Sequence, residues 1–125
     1  MLKSLTTATL FALALSAGAA QAEGSAAEGF KVFKKCYACH KVKESEGGQV
    51  APNLHGVFGR EAGAGDFRRY SDALKQSDVV WTEETMAAYL RDPQGFIPGN
   101  KMPFPGLDSD EDIRNLIAYL KRATR

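Results

Sequence analysis

Apolar positions recur with helical spacing in three parts of the chain. The clearest is C-terminal: Ile113, Leu116, Ile117 and Leu120 stand at i, i+3, i+4 and i+7, one stripe of a helix of 3.6-residue period. Ser109 or Asp110 caps it. Asp110, Glu111 and Asp112 open it and Lys121, Arg122 and Arg125 close it, each sign at the end of the helix dipole that favours it. A second helix is predicted after Thr82, with Glu83 and Glu84 in its first turn and Met86, Ala87, Tyr89 and Leu90 as apolar members. It must stop by Asp92, because the residue before a proline is pushed out of the helical region. A third runs from an N-cap at Ser25 through Lys35, with Phe30, Val32 and Phe33 as its apolar members. No run alternates as a strand would, and no internal repeat is present. The pattern predicts an all-α domain with these three helices and long loops where Gly and Pro gather, at 47–65 and 93–106.

The first 22 residues follow a different pattern. Lys3 is their only charge, an Ala/Leu-rich run covers 8–20, and Ala20-Gln21-Ala22 is a small-x-small cleavage pattern. The run is shorter than the roughly 20 residues a spanning helix needs. It therefore reads as a cleaved secretory signal, with the mature domain at 23–125 and a periplasmic destination. Loss of Lys3 from the 16 bases of the whole chain leaves 15 bases against 15 acids. A neutral chain has no general basic field for nucleic acid or lipid, and no lipidation cysteine follows the signal. Neither nucleic acid binding nor stable membrane insertion is expected.

Cys36 and Cys39, the two cysteines of the chain, stand three apart with His40 immediately after. A zinc site needs four ligands, and His40 with His55 makes a poor second pair. A thioredoxin-like pair needs a βαβ context that the pattern lacks. Covalent attachment of one haem c uses all three residues: two thiols for the vinyl groups and a histidine for the iron. The long loops then have a reason, since backbone must enclose both faces of the ring.

The second iron ligand decides the use of the haem. An open position permits gas binding or peroxide chemistry, whereas a filled one leaves electron transfer. Met86 lies within an amphipathic helix, where packing explains it. His55 lies 15 residues after His40 in a Gly-flanked loop, expected near the surface. Met102 lies in Ile97-Pro98-Gly99-Asn100-Lys101-Met102-Pro103-Phe104-Pro105-Gly106, a loop whose prolines hold a thioether in place at little further entropic cost. Met102 is the choice, and two classes remain: an electron carrier, or a haem enzyme or gas binder in which Met102 is off the iron.

From about Gly29 to Thr124 the chain resembles class I cytochromes c, especially bacterial cytochrome c2 and the mitochondrial-type proteins. The resemblance rests on Pro52-Asn53-Leu54-His55-Gly56-Val57-Phe58-Gly59-Arg60, on Tyr70-Ser71-Asp72-Ala73, on Trp81, on the loop to Met102 and on Leu116-Ile117-Ala118-Tyr119-Leu120-Lys121. It implies a class I cytochrome c fold and a monomeric electron carrier, not an enzyme. Partners of the kind it implies are a bc1-type complex, a terminal oxidase, a reaction centre or a periplasmic dehydrogenase. By position, the Pro52 carbonyl accepts from the free ring nitrogen of His40. Arg60, Tyr70 and Trp81 lie around the propionates, with Asn100 reaching one from the methionine loop. Tyr89 points its hydroxyl at the Met102 sulfur, and Gly29 and Phe33 pack against Leu116 and Tyr119.

The chain departs from the family at Ala51, commonly glycine, and at Leu74, usually asparagine. Gln94 and Gly95 occupy positions that are often lysine. The basic face at the haem edge then rests on Lys31, Lys34, Lys35, Lys41, Lys43 and Lys101, a surface suited to weak electrostatic docking.

Overall fold

The computed structural model describes residues 23–47 and 50–125; the expected signal segment lies outside them. Five helices follow in order: α1 (Ala26–Phe33), α2 (Asp72–Lys75), α3 (Glu83–Arg91), α4 (Pro93–Phe96) and α5 (Asp110–Ala123). Strand-like pairing among the described residues is confined to an isolated antiparallel bridge, Glu61 with Val80. The fold is all-α, as the pattern predicts.

The caps explain the boundaries. Ser25, Thr82 and Ser109 each accept from the backbone N–H three residues on, so Ser109 rather than Asp110 opens α5. Thr82 and Thr85 bond reciprocally as a capping box. α1 ends at Phe33 and not at Lys35, since the turns beyond it mix tighter i+3 bonds (Lys35 to Val32, Cys36 to Phe33) with one i+4 bond from Tyr37 to Phe33. Pro93 does end α3, and it also occupies the first position of α4, where a proline lacks no needed donor. The Asp92 side chain caps α4 by accepting from the Gly95 N–H at 3.0 Å.

α1 crosses α5 closely. Gly29, Val32 and Phe33 form the buried stripe of α1, and Phe33 and Tyr119 lie with ring centroids 5.1 Å apart. A Cβ on Gly29 would collide with the Asn115 carbonyl and the Tyr119 Cβ, so only glycine permits this approach. Asn115, buried on α5, accepts from the Ser25 N–H at 2.7 Å and fixes the start of α1. Phe30 does not share the stripe. It is 50% exposed, because positions 29, 32 and 33 fill the buried face and position 30 turns away from it.

α3 joins α5 through Lys121–Glu83 at 2.5 Å and the Arg91–Asp110 pair. Met86 is buried in the core at 6% exposure, as the packing reading expects. Between α1 and α3 the chain forms the loop that carries Pro52, Arg60 and Tyr70. Between α4 and α5 it forms the loop that carries Met102.

Candidate haem site

One side of the site is the turn that follows α1. Cys39 and His40 both donate their backbone N–H to the Cys36 carbonyl, at 3.1 and 2.9 Å. The two thiols and the imidazole are thereby set on one turn of backbone. Both cysteines are half-buried, and neither is in a disulfide. Burial pushes the Cys36 thiol above its usual pKa, against the opposing charge of Lys35. His40 Nδ1 lies 2.8 Å from the Pro52 carbonyl. That bond places the proton on Nδ1 and leaves the lone pair on Nε2, the tautomer a metal ligand requires. Burial holds the imidazole pKa below its ordinary value, opposed by the Pro52 bond, so the ring is neutral at pH 7.

A second cluster gathers around Gly65. A Cβ there would run into the Tyr70 hydroxyl and lie 3.1 Å from the Arg60 guanidinium carbon. Arg60 also donates to the His55 and Asn53 carbonyls, at 3.1 and 3.3 Å. Trp81 joins this cluster through backbone bonds on both sides: its N–H donates to Arg60 at 2.9 Å, and its carbonyl accepts from Gly59 at 2.8 Å. Burial raises the Tyr70 phenol, while Arg60 and the Gly65 backbone pull it back. A cleft of about 760 Å³ opens beside Pro52, Arg60 and Tyr70. It touches neither cysteine nor Met102, so it borders the haem site without being it.

The third group is the methionine side. The Tyr89 hydroxyl lies 4.0 Å from the Met102 sulfur, and its ring packs on Trp81 with centroids 5.0 Å apart. Burial pushes the Tyr89 phenol up to about 12. Asn100 holds the loop from inside. Its amide donates to the Pro93 carbonyl at 2.8 Å and the Ile97 carbonyl at 2.9 Å, and its oxygen accepts from the Met102 N–H at 3.0 Å. Both amide hydrogens are bonded within the loop, a role that the sequence reading did not give Asn100. Its place is beneath Met102, as a positioning residue.

Sequence reasoning missed Gln94, marking it merely as an absent lysine. Its amide donates to the Asn100 carbonyl at 2.8 Å and accepts from the Gly99 N–H at 3.3 Å, tying α4 to the loop. His55, expected near the surface, is only partly so. Nε2 lies 4.0 Å from Glu44, while Nδ1 is buried with no partner among the described residues.

Comparison with known proteins finds relatives over nearly the whole of the described chain. Residues 26–124 match the family Cytochrome c. The chain belongs to the cytochrome c family. It is 44% identical over 113 residues to cytochrome c2 of Blastochloris viridis, covering 90% of this chain and 88% of that one. It is 42% identical over 118 residues to cytochrome c-554 of Methylosinus trichosporium, covering 94% and 89%. Cytochrome c of Nigella damascena is 46% identical over 102 residues, covering 81% and 92%. The chain is therefore a class I c-type cytochrome, a monohaem electron carrier and not an enzyme, holding one haem c through Cys36 and Cys39.

The residues present fit that group. Two cysteine sulfurs and a neutral, oriented imidazole share one turn. The Gly65 cradle gathers a guanidinium and a phenol, donors of the kind a buried carboxylate requires.

Proposed function

We propose that this chain is a soluble periplasmic carrier that shuttles single electrons between redox protein complexes, with His40 and Met102 as the axial ligands of its haem iron. When bound, the haem supplies a one-electron iron couple. Pro52 orients His40 and raises its basicity as a ligand. Asn100 and Gln94 hold the backbone on which the Met102 thioether sits, and Tyr89 faces the sulfur with a hydroxyl. A soft sulfur ligand in a dry pocket favours the ferrous state and raises the potential. A rigid ligand set leaves little to rearrange when the iron charge changes. Arg60, Tyr70 and Trp81 are the residues for the propionates.

The observation that carries this reading is the Met102 loop. Its sulfur lies against Tyr89 while its backbone is bonded from within by Asn100, an arrangement packing alone does not require. Periplasmic export is supported by the cleavage pattern at Ala20-Gln21-Ala22. The match to cytochrome c-554 covers 94% of the chain, more than the mature part alone, so the similarity extends into the signal segment. A bc1-type complex, terminal oxidase, reaction centre or periplasmic dehydrogenase is the partner class, met by the lysines around the cysteine turn.

The ferric holoprotein should display the weak red-edge absorption band that marks methionine ligation, and the ferrous form should not bind carbon monoxide readily. A missing band at neutral pH, or ready carbon monoxide binding, contradicts the carrier reading and supports a gas binder or haem enzyme.

A further inference from the structure

Some cations of the described residues are paired with acids and others are not. Lys31 pairs with Glu28, Lys75 with Asp72, Lys121 with Glu83 and Arg91 with Asp110. Lys34, Lys35, Lys41 and Lys43 have no acidic partner among the described residues, and all flank the cysteine turn. Two of them lie over aromatic rings instead. The Lys41 ammonium is 3.9 Å from the Tyr37 ring centroid, and that of Lys34 is 6.0 Å from Phe30. Those rings are 54% and 50% exposed, high values for large apolar side chains. They are joined below the surface: Phe30 to Tyr119 at 5.6 Å, Tyr119 to Phe33 at 5.1 Å, Phe33 to Tyr37 at 6.3 Å. The exposed edges therefore belong to one supported aromatic patch, flanked by lysines that form no ion pair among the described residues.

We propose that Phe30 and Tyr37, with Lys34 and Lys41 against them, form the anchor by which this carrier docks on an apolar pocket rimmed by carboxylates in a redox partner. The proposal rests on the electron-carrier reading above and adds the place and chemistry of contact. Tyr37 follows Cys36 directly, so a protein seated on it stands within a turn of the haem attachment. Aromatic side chains at the centre of a contact carry most of its binding energy, and cations steer the approach. A second copy of this chain is a poor occupant, since cation would face cation.

The test is steady-state reduction of the holoprotein by a purified bc1-type complex across ionic strengths. Phe30→Ser and Tyr37→Ser should each raise KM about tenfold with kcat unchanged. Lys41→Gln should raise KM and flatten its salt dependence. Val80→Ser, an exposed apolar residue at the bridge to Glu61, should change neither. Reduction by ascorbate and the methionine-ligation band should be the same in all four variants. Absence of saturable reduction of the wild-type protein overturns the partner reading itself. Saturable reduction with KM unmoved in both aromatic variants overturns the anchor alone. The anchor also falls if those two substitutions abolish binding to anionic phospholipid vesicles while KM stays unmoved.

Discussion

Tyr89 brings together more of the site than any other single side chain: its hydroxyl faces Met102 and its ring packs on Trp81 and Phe96. Burial raises its phenol to about 12, above the ordinary value of 10.0. An ultraviolet phenolate titration of wild type minus Tyr89→Phe should therefore show one phenol ionising near pH 12. The folded state favours the neutral form, so its stabilising contribution is full below pH 10 and is lost as pH rises from 10 toward 12. Tyr89→Phe should show a shallower loss of stability over that window, read by denaturant midpoints. At this scale the two cysteines were legible because residue type and spacing restrict their chemistry. Asn100 was not. An amide can donate to a propionate or to its own loop, and only the folded path of residues 93–102 decides which carbonyls lie within reach.

The long, strongly patterned elements were legible and the single-turn ones were not. α5 and α3 carry both a stripe and a cap. α2 and α4 span four residues each, too short for any periodicity, and exist through Ser71 and Asp92 as caps. Pro93 reads as a stop for α3 and is equally a start for α4. Which of Phe30, Val32 and Phe33 lie on the buried face of α1 cannot be apportioned from three apolar residues in four positions until the partner helix is placed. Gln94 belongs to this scale as well, since it joins α4 to the methionine loop through two hydrogen bonds, each worth about 1 kcal/mol net. Gln94→Ala removes about 2 kcal/mol in all and should let the loop open about thirtyfold more often. Hydrogen exchange at the Met102 amide, whose own bond goes to Asn100, should accelerate by that factor while α5 amides stay unchanged.

At the scale of the whole molecule, the loops are held on two sides of the site. The histidine side is tied by Pro52 to the cysteine turn, and the methionine side by Asn100 and Gln94 to α4. Trp81 links the two regions through Arg60 and Tyr89. The fold class and the cofactor were legible from periodicity and from three residues of one motif. The closure of the methionine side was not, because it depends on side-chain hydrogen bonds across the loop. The central claim is that Met102 completes the iron ligation begun by His40. Its most direct measurement is the proton NMR spectrum of the ferrous holoprotein, where ring current shields the methyl of a ligating methionine. The account predicts one strongly shielded three-proton resonance that disappears in Met102→Ala and persists in Met86→Leu. A spectrum without that resonance, or one that loses it in Met86→Leu and keeps it in Met102→Ala, would contradict it.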